Sequence, residues 1–354
     1  MKKPKVRIGI SMGDPNGIGP EVILKTLAQP GMTDDIIPII YGSQRLFNHY
    51  LKVFELEEFK FHIVKDTDSA KPKKVNLIDI AKEDFNICFG ERSEEAGKIA
   101  LQSLEAATSD LASNKFDVLV TAPIDKKAIQ SDEFDFPGHT EYLAEMSAVD
   151  EALMLMVSEN LRVGIVTGHI PLKDVPGAIS KDKIIGKIDK MLATLEKDFA
   201  IRKPKIAVLG LNPHAGEKGM MGTEESDVIS PAVNAVRDKG HLVYGPYPAD
   251  GFFGSSSFKE FDGVLAMYHD QGLAPFKALS FGYGVNYTAG LPIVRTSPDH
   301  GTAFEIAGKG LANEASFRSA VFLAKDIYNN RTMQREITAD PLQPQKTKNN
   351  RSDD

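Results

Sequence analysis

Short apolar runs rich in β-branched residues alternate with amphipathic stretches along most of the chain. The first run, Val6–Ser11, predicts a strand, and the glycine-rich Gly13–Gly19 after it a turn. Pro20–Leu27 then opens a helix, with proline in its first turn and Glu21 at the positive end of its dipole. Ile36–Tyr41 reads as a strand and Arg45–Phe54 as a helix, whereas Glu55 to Asp84 is polar and mixed, suited to strand pieces and loops. Ser93–Ser113 predicts a long amphipathic helix, and Phe116–Thr121 a strand ending in the loop Ala122–Asp125. Thr140–Ala148 is helical in pattern, and Leu153–Ser158 and Leu161–Thr167 suit neighbouring strands. Ser180–Phe199 is a helix capped by Ser180, Lys205–Gly210 a strand and Ser226–Lys239 a helix. Leu242–Tyr244 and Gly263–Met267 are strands, and Ala315–Asn329 is a closing helix. Such alternation predicts an α/β fold with a mostly parallel sheet. The stretch from Thr332 to Asp354, polar with two prolines, predicts a poorly ordered tail or a surface arm.

Three of the apolar runs end on histidine: Arg162–Gly168 leads to His169, Lys205–Pro213 to His214, and Asp262–Tyr268 to His269. Runs without clean alternation suit strands buried on both faces of a parallel sheet. In open α/β sheets ligands bind beyond the carboxyl ends of the strands. Three imidazoles delivered there suit one divalent cation with positions left open for substrate. The spacings are long, and three unrelated loop histidines fit them as well.

Composition narrows the classes. A chain of 354 residues suits one large or two medium domains. The formal charge of −7 gives no general attraction to nucleic acid or to an anionic membrane, so an anionic ligand needs local positive charge. The single Cys88 excludes an internal disulfide and a Cys-rich metal site, and reads as packing filler. The basic Met1–Lys5 is followed by a first strand rather than a signal peptide, and no run reaches transmembrane length, so a cytoplasmic protein is expected.

Two segments near opposite ends carry a resemblance. Gly13-Asp14-Pro15-Asn16-Gly17-Ile18-Gly19-Pro20-Glu21-Val22 and His300-Gly301-Thr302-Ala303-Phe304-Glu305-Ile306-Ala307-Gly308-Lys309-Gly310 resemble the N-terminal motif and the cofactor loop of the isocitrate and isopropylmalate dehydrogenases. Thr121–Lys126, Pro137–Leu143, Gly210–Glu217, Tyr268–Gly272 and Gly290–Ser297 narrow the resemblance to the 4-hydroxythreonine-4-phosphate dehydrogenase family, over about Val6 to Tyr328. The resemblance implies two α/β domains flanking a cleft. The first is discontinuous, 1–135 plus 281–345, on the cofactor side; the second, 136–280, is on the metal and dimer side; 346–354 is a polar tail. It implies oxidation of the secondary alcohol of 4-phosphohydroxy-L-threonine by NAD or NADP, then loss of CO₂ to give 3-amino-2-oxopropyl phosphate, a precursor of pyridoxal 5′-phosphate. Carried over by motif, His169, His214 and His269 hold a divalent metal, Zn, Mg or Co. His139, Thr140, Lys277, Asn286 and Arg295 contact substrate, and His300, Gly301, Thr302 and Ala303 bind the dinucleotide. A homodimer with sites shared between chains is implied as well.

The chemistry suits these residue types. A dication lowers the pKa of the alcohol that loses hydride. Arg295 offers a bidentate fork for an anion and Lys277 a point charge. His139 suits a hydrogen bond to phosphate or carboxylate, or a proton transfer. Asp270 and Asp250 suit orientation of ligand imidazoles; the group that takes the alcohol proton stays open, with Asp270 and Lys277 as candidates. One alternative is a relative acting on 4-phospho-D-erythronate or D-threonate phosphate, in sugar-acid catabolism. Another is a phosphate-binding acyltransferase or regulatory module, which needs neither the histidine triad nor the His300 loop.

Overall fold

The computed structural model describes residues 4–80, 85–130, 134–136 and 138–339. Twelve strands are described: β1 Val6–Ser11, β2 Ile36–Gly42, β3 His62–Val64, β4 Asn76–Asp79, β5 Val118–Thr121, β6 Leu153–Val157, β7 Arg162–Ile165, β8 Lys205–Leu209, β9 Leu242–Tyr247, β10 Gly263–Ala266, β11 Val285–Ala289 and β12 Arg295–Pro298. The α-helices are α1 Gly19–Leu27, α2 Gln44–Val53, α3 Glu94–Ala112, α4 His139–Met146, the short α5 Val175–Ala178, α6 Lys181–Lys197, α7 Ser230–Arg237, α8 Ala249–Gly254, α9 His269–Ser280 and α10 Ala315–Ala339. Ser43, Ser93 and Ser180 cap α2, α3 and α6 by accepting from backbone N–H groups three residues on.

All twelve strands join one sheet, in the order β3-β4-β2-β1-β5-β12-β11-β6-β7-β10-β8-β9. The run from β3 to β12 is parallel, and so is the run from β7 to β9. Between them β11 pairs antiparallel with both β12 and β6, and β6 antiparallel with β7. An antiparallel seam therefore separates two parallel halves whose strands point in opposite directions. The chain crosses this seam twice, entering the second half at β6 and returning through β11 and β12 to lie beside β5.

Most predicted elements are present, and the α/β class with it. The β11–β12 hairpin and α9 lack the pattern that marked the others, because β11 is short and Pro275 interrupts α9. The closing helix runs on to Ala339, ten residues past Asn329, so the first part of the expected tail is helical; 340–354 lie outside the described residues. Cys88 is exposed rather than packed. No helix among the described residues is long and apolar enough to cross a membrane.

Candidate active site

Successive side chains of a strand point to opposite faces. At the seam, register places Asn286 opposite Ser297 and Met156, so these three share one face, and Arg295 opposes Thr288 on that same face. The other face carries Val285, Tyr287, Leu153, Leu155 and Val157, all buried in the main core. The first face floors a cavity of about 1090 Å³. Its walls include His139 and Thr140 of α4, His169, His269 and Lys277, and His300 and Gly301.

Arg295 is 3% exposed and has no carboxylate partner among the described residues. Its Nε and Nη2 donate to Thr121 Oγ1 at 3.0 and 2.5 Å, and its Nη1 donates to Thr288 Oγ1 at 3.1 Å. Nη2 also meets Nδ1 of His139 at 3.1 Å. A guanidinium only donates, so His139 Nδ1 accepts and the neutral ring carries its proton on Nε2. Burial first, then the charges of Arg295 and Lys126, hold His139 well below the usual imidazole range. Its Nε2 is buried and has no partner. His139 is thus a neutral donor, and the proton-transfer role left open for it is the weaker one. Burial lowers Arg295 to about 9, with Glu141 opposing, which leaves it charged at neutral pH. A buried cation whose donors meet only hydroxyls and a neutral ring keeps its full charge for an anion.

The three strand-end histidines separate. β7 and β10 are parallel neighbours, so His169 and His269 emerge together, with ring centroids 5.3 Å apart. His269 Nδ1 lies 2.7 Å from Asp270 Oδ1, which leaves Nε2 free. Asp250, in α8, is exposed. Burial, then Lys126 and His269, lower the pKa of His169, favouring the neutral ring a metal needs. His214 leaves β8 on the turn Pro213–Gly219 and is exposed, outside the cavity wall. This turn holds His214, Ala215, Glu217 and Lys218 at positive φ, a conformation strained for side-chain-bearing residues. Glu225 secures its start by accepting from the N–H groups of Leu211 and Asn212 at 2.8 and 2.7 Å. Among the described residues no three His, Cys, Asp or Glu side chains converge as a metal site.

The two glycine-containing motifs meet. Ile18 N–H donates to Thr302 O at 3.0 Å, and a Cβ on Gly17 would stand 2.9 Å from that oxygen, so only glycine permits the approach. Gly301 lines the cavity and Ala303 turns the loop at φ 44°. His300 Nδ1 lies 3.1 Å from Gly301 O, and its Nε2 is buried without a partner, as is Oδ1 of Asn286. Lys277 is exposed on α9. Lys126 also lines the cavity, and Thr288 lies behind it as an acceptor for Arg295. Thr288 lies on a strand the pattern did not mark, and Lys126 was visible only as the last residue of a motif.

Residues 34–324 match the family model described as pyridoxal phosphate biosynthetic protein PdxA. The chain belongs to the PdxA family. It is 47% identical over 346 residues to a 4-hydroxythreonine-4-phosphate dehydrogenase of Bacteroides thetaiotaomicron, covering 98% of this chain and 95% of that one. It is 41% identical over 317 residues to a D-threonate 4-phosphate dehydrogenase of Cupriavidus necator, covering 89% and 95%. The crystal structure of a 4-hydroxythreonine-4-phosphate dehydrogenase from Klebsiella pneumoniae superposes with a TM-score of 0.79 at 36% identity, covering 92% of this chain and 98% of that one. Both substrate names thus occur among PdxA relatives of similar identity.

Proposed function

We propose that this PdxA family member oxidises 4-phosphohydroxy-L-threonine with NAD or NADP and releases CO₂ from the resulting β-keto acid. The observation that carries this reading is Arg295, a buried guanidinium without a counterion among the described residues, in the wall of the same cavity as the His169–His269 pair. Arg295 and the Nε2–H of His139 bind the phosphate, with Thr140 and Lys277 at its rim. The unpartnered Oδ1 of Asn286 accepts from the substrate amine. The loop His300–Ala303 holds the dinucleotide, and the free Nε2 of His300 reaches toward it.

Two neighbouring imidazoles, one backed by a carboxylate, fit a divalent transition ion better than Mg²⁺. Such an ion would supply positive charge at the substrate oxygen when bound. His169 and His269 are its ligands from one chain, and His214 of a second copy completes the set in a homodimer. The exposed apolar residues Ile170 and Leu172 after His169, and Met220 and Met221 after His214, are the kind of surface a second copy covers. Mixed dimers of His214→Ala and His169→Ala are expected to regain activity, because one hybrid site recovers all three ligands. Failure to recover despite subunit exchange removes the sharing of His214. Chelation is expected to abolish turnover, and full activity in metal-free protein would overturn the metal reading.

The decisive experiment follows NAD(P)H formation on 4-phosphohydroxythreonine, 4-phospho-D-erythronate and D-threonate 4-phosphate. Preference for the amino acid supports the proposal. The D-threonate reading, favoured by the Cupriavidus necator relative, wins if the hydroxy acids turn over faster. Absence of turnover on all three refutes both.

A further inference from the structure

The substrate reading above leaves one anion without a dedicated cation. A phosphorylated hydroxy acid is charged at both ends, and Arg295 with His139 serves only one. Lys277 lies eight residues along α9 from His269, about 12 Å of helix. Lys126 stands in the wall of the same cavity as Arg295, His139 and the His169–His269 pair, with its Cε beside Gly138, the residue before His139. It therefore faces the space that the anion pocket and the imidazole pair share.

Its ammonium is also unclaimed. The adjacent Asp125 is fully engaged. It receives Arg92 Nε and Nη2 at 2.8 Å each, and the N–H groups of Lys127 and Ala128 at 2.9 Å each. Among the described residues Lys126 forms no ion pair with any carboxylate. Room for its stem comes from Gly138, where a Cβ would already stand 3.4 Å from Lys126 Cε. Lys126 itself is exposed, so water backs it.

We propose that Lys126 binds the substrate carboxylate, giving the cavity two anion subsites of opposite construction. The phosphate stays attached through the reaction and meets a buried, fixed guanidinium. The carboxylate must leave as neutral CO₂, its bonding electron pair passing to the adjacent ketone to form the enolate. A flexible, hydrated ammonium orients that carboxylate for oxidation without holding it as tightly as a bidentate fork would.

This assignment rests on the phosphorylated-acid reading and is tested by binding, apart from turnover. Calorimetry compares 4-phospho-D-erythronate, with both anions, against glycerol 3-phosphate, which has no carboxylate. Lys126→Met is expected to weaken the first by about tenfold or more and the second by less than about twofold. Lys126→Arg is expected to restore most of the lost affinity, whereas Arg295→Lys weakens both ligands. Unchanged affinity for the acid in Lys126→Met, or equal loss for both ligands, overturns the assignment while leaving the substrate reading intact. If neither compound binds the wild-type protein, the assignment of two anion subsites falls, and the substrate reading is decided by turnover of 4-phosphohydroxythreonine.

Discussion

Two buried arginines flank the β11–β12 hairpin and are built in opposite ways. Arg295, on the cavity side, meets two threonine hydroxyls and a neutral imidazole. Arg331, on α10 behind the sheet, donates Nε to Asp198 Oδ1 at 2.6 Å and Nη2 to the Tyr287 hydroxyl at 2.9 Å. It also donates to the carbonyls of Leu291, Pro292 and Ile293 in the hairpin turn. Burial lowers Arg331, but Asp198 and Tyr287 outweigh it and raise the pKa; nothing comparable reaches Arg295. The same side chain at nearly the same depth is thus a brace where it has a counterion, and where it lacks one it is the anion site proposed above. A buried charge without a partner costs folding free energy, and such costs are retained where a ligand will supply the partner.

The largest expected effect comes from breaking the brace. Asp198→Asn leaves Arg331 buried and uncompensated and is expected to cost about 3–5 kcal/mol of stability. Chemical denaturation measures it, and a loss below about 1 kcal/mol would dissolve the contrast. Arg295→Met should do the reverse: an unchanged or raised melting temperature, with affinity for phosphorylated ligand reduced at least about a hundredfold. A melting temperature well below wild type would show that Arg295 is a brace too.

Smaller changes sharpen the comparison. Thr288→Val removes an acceptor from Arg295 and is expected to raise KM for the phosphorylated acid by about tenfold, with KM for NAD(P) unchanged and Thr288→Ser restoring it. Parallel rises in both KM values would point to general disorder of the sheet instead. Asp14 is the acidic counterpart of Arg295, since its Oδ2 is buried with no hydrogen-bond partner. Burial, with a contribution from Asp125, raises it from 3.8 to about 6. The folded state therefore holds this proton more tightly than the unfolded chain. Its stabilising contribution is full below pH 3.8 and is lost as pH rises through about 6. Asp14→Asn is expected to gain up to about 3 kcal/mol over wild type at neutral pH, with the gain vanishing in acid. Equal pH dependence in the two proteins would exclude a buried, uncompensated acid at this position.

The sequence by itself determined much of this. Apolar periodicity marked most strands and helices, because burial of one face or two is a local pattern. The motifs named many of the polar residues of the cavity, since glycines at turns and histidines after strands are readable along the chain. The tertiary structure decided which of them meet. His169 and His269 converge because β7 and β10 are neighbours, while β8 lies one strand further out and its strained turn places His214 elsewhere. Sequence also could not separate the two arginines, each of which is one charge near apolar residues. Arg331 finds Asp198 133 residues away, and Arg295 finds Thr121 174 residues away. Whether a buried charge is compensated depends on which distant side chains the sheet order delivers within hydrogen-bond reach, and strand order is a property of the whole chain rather than of any segment.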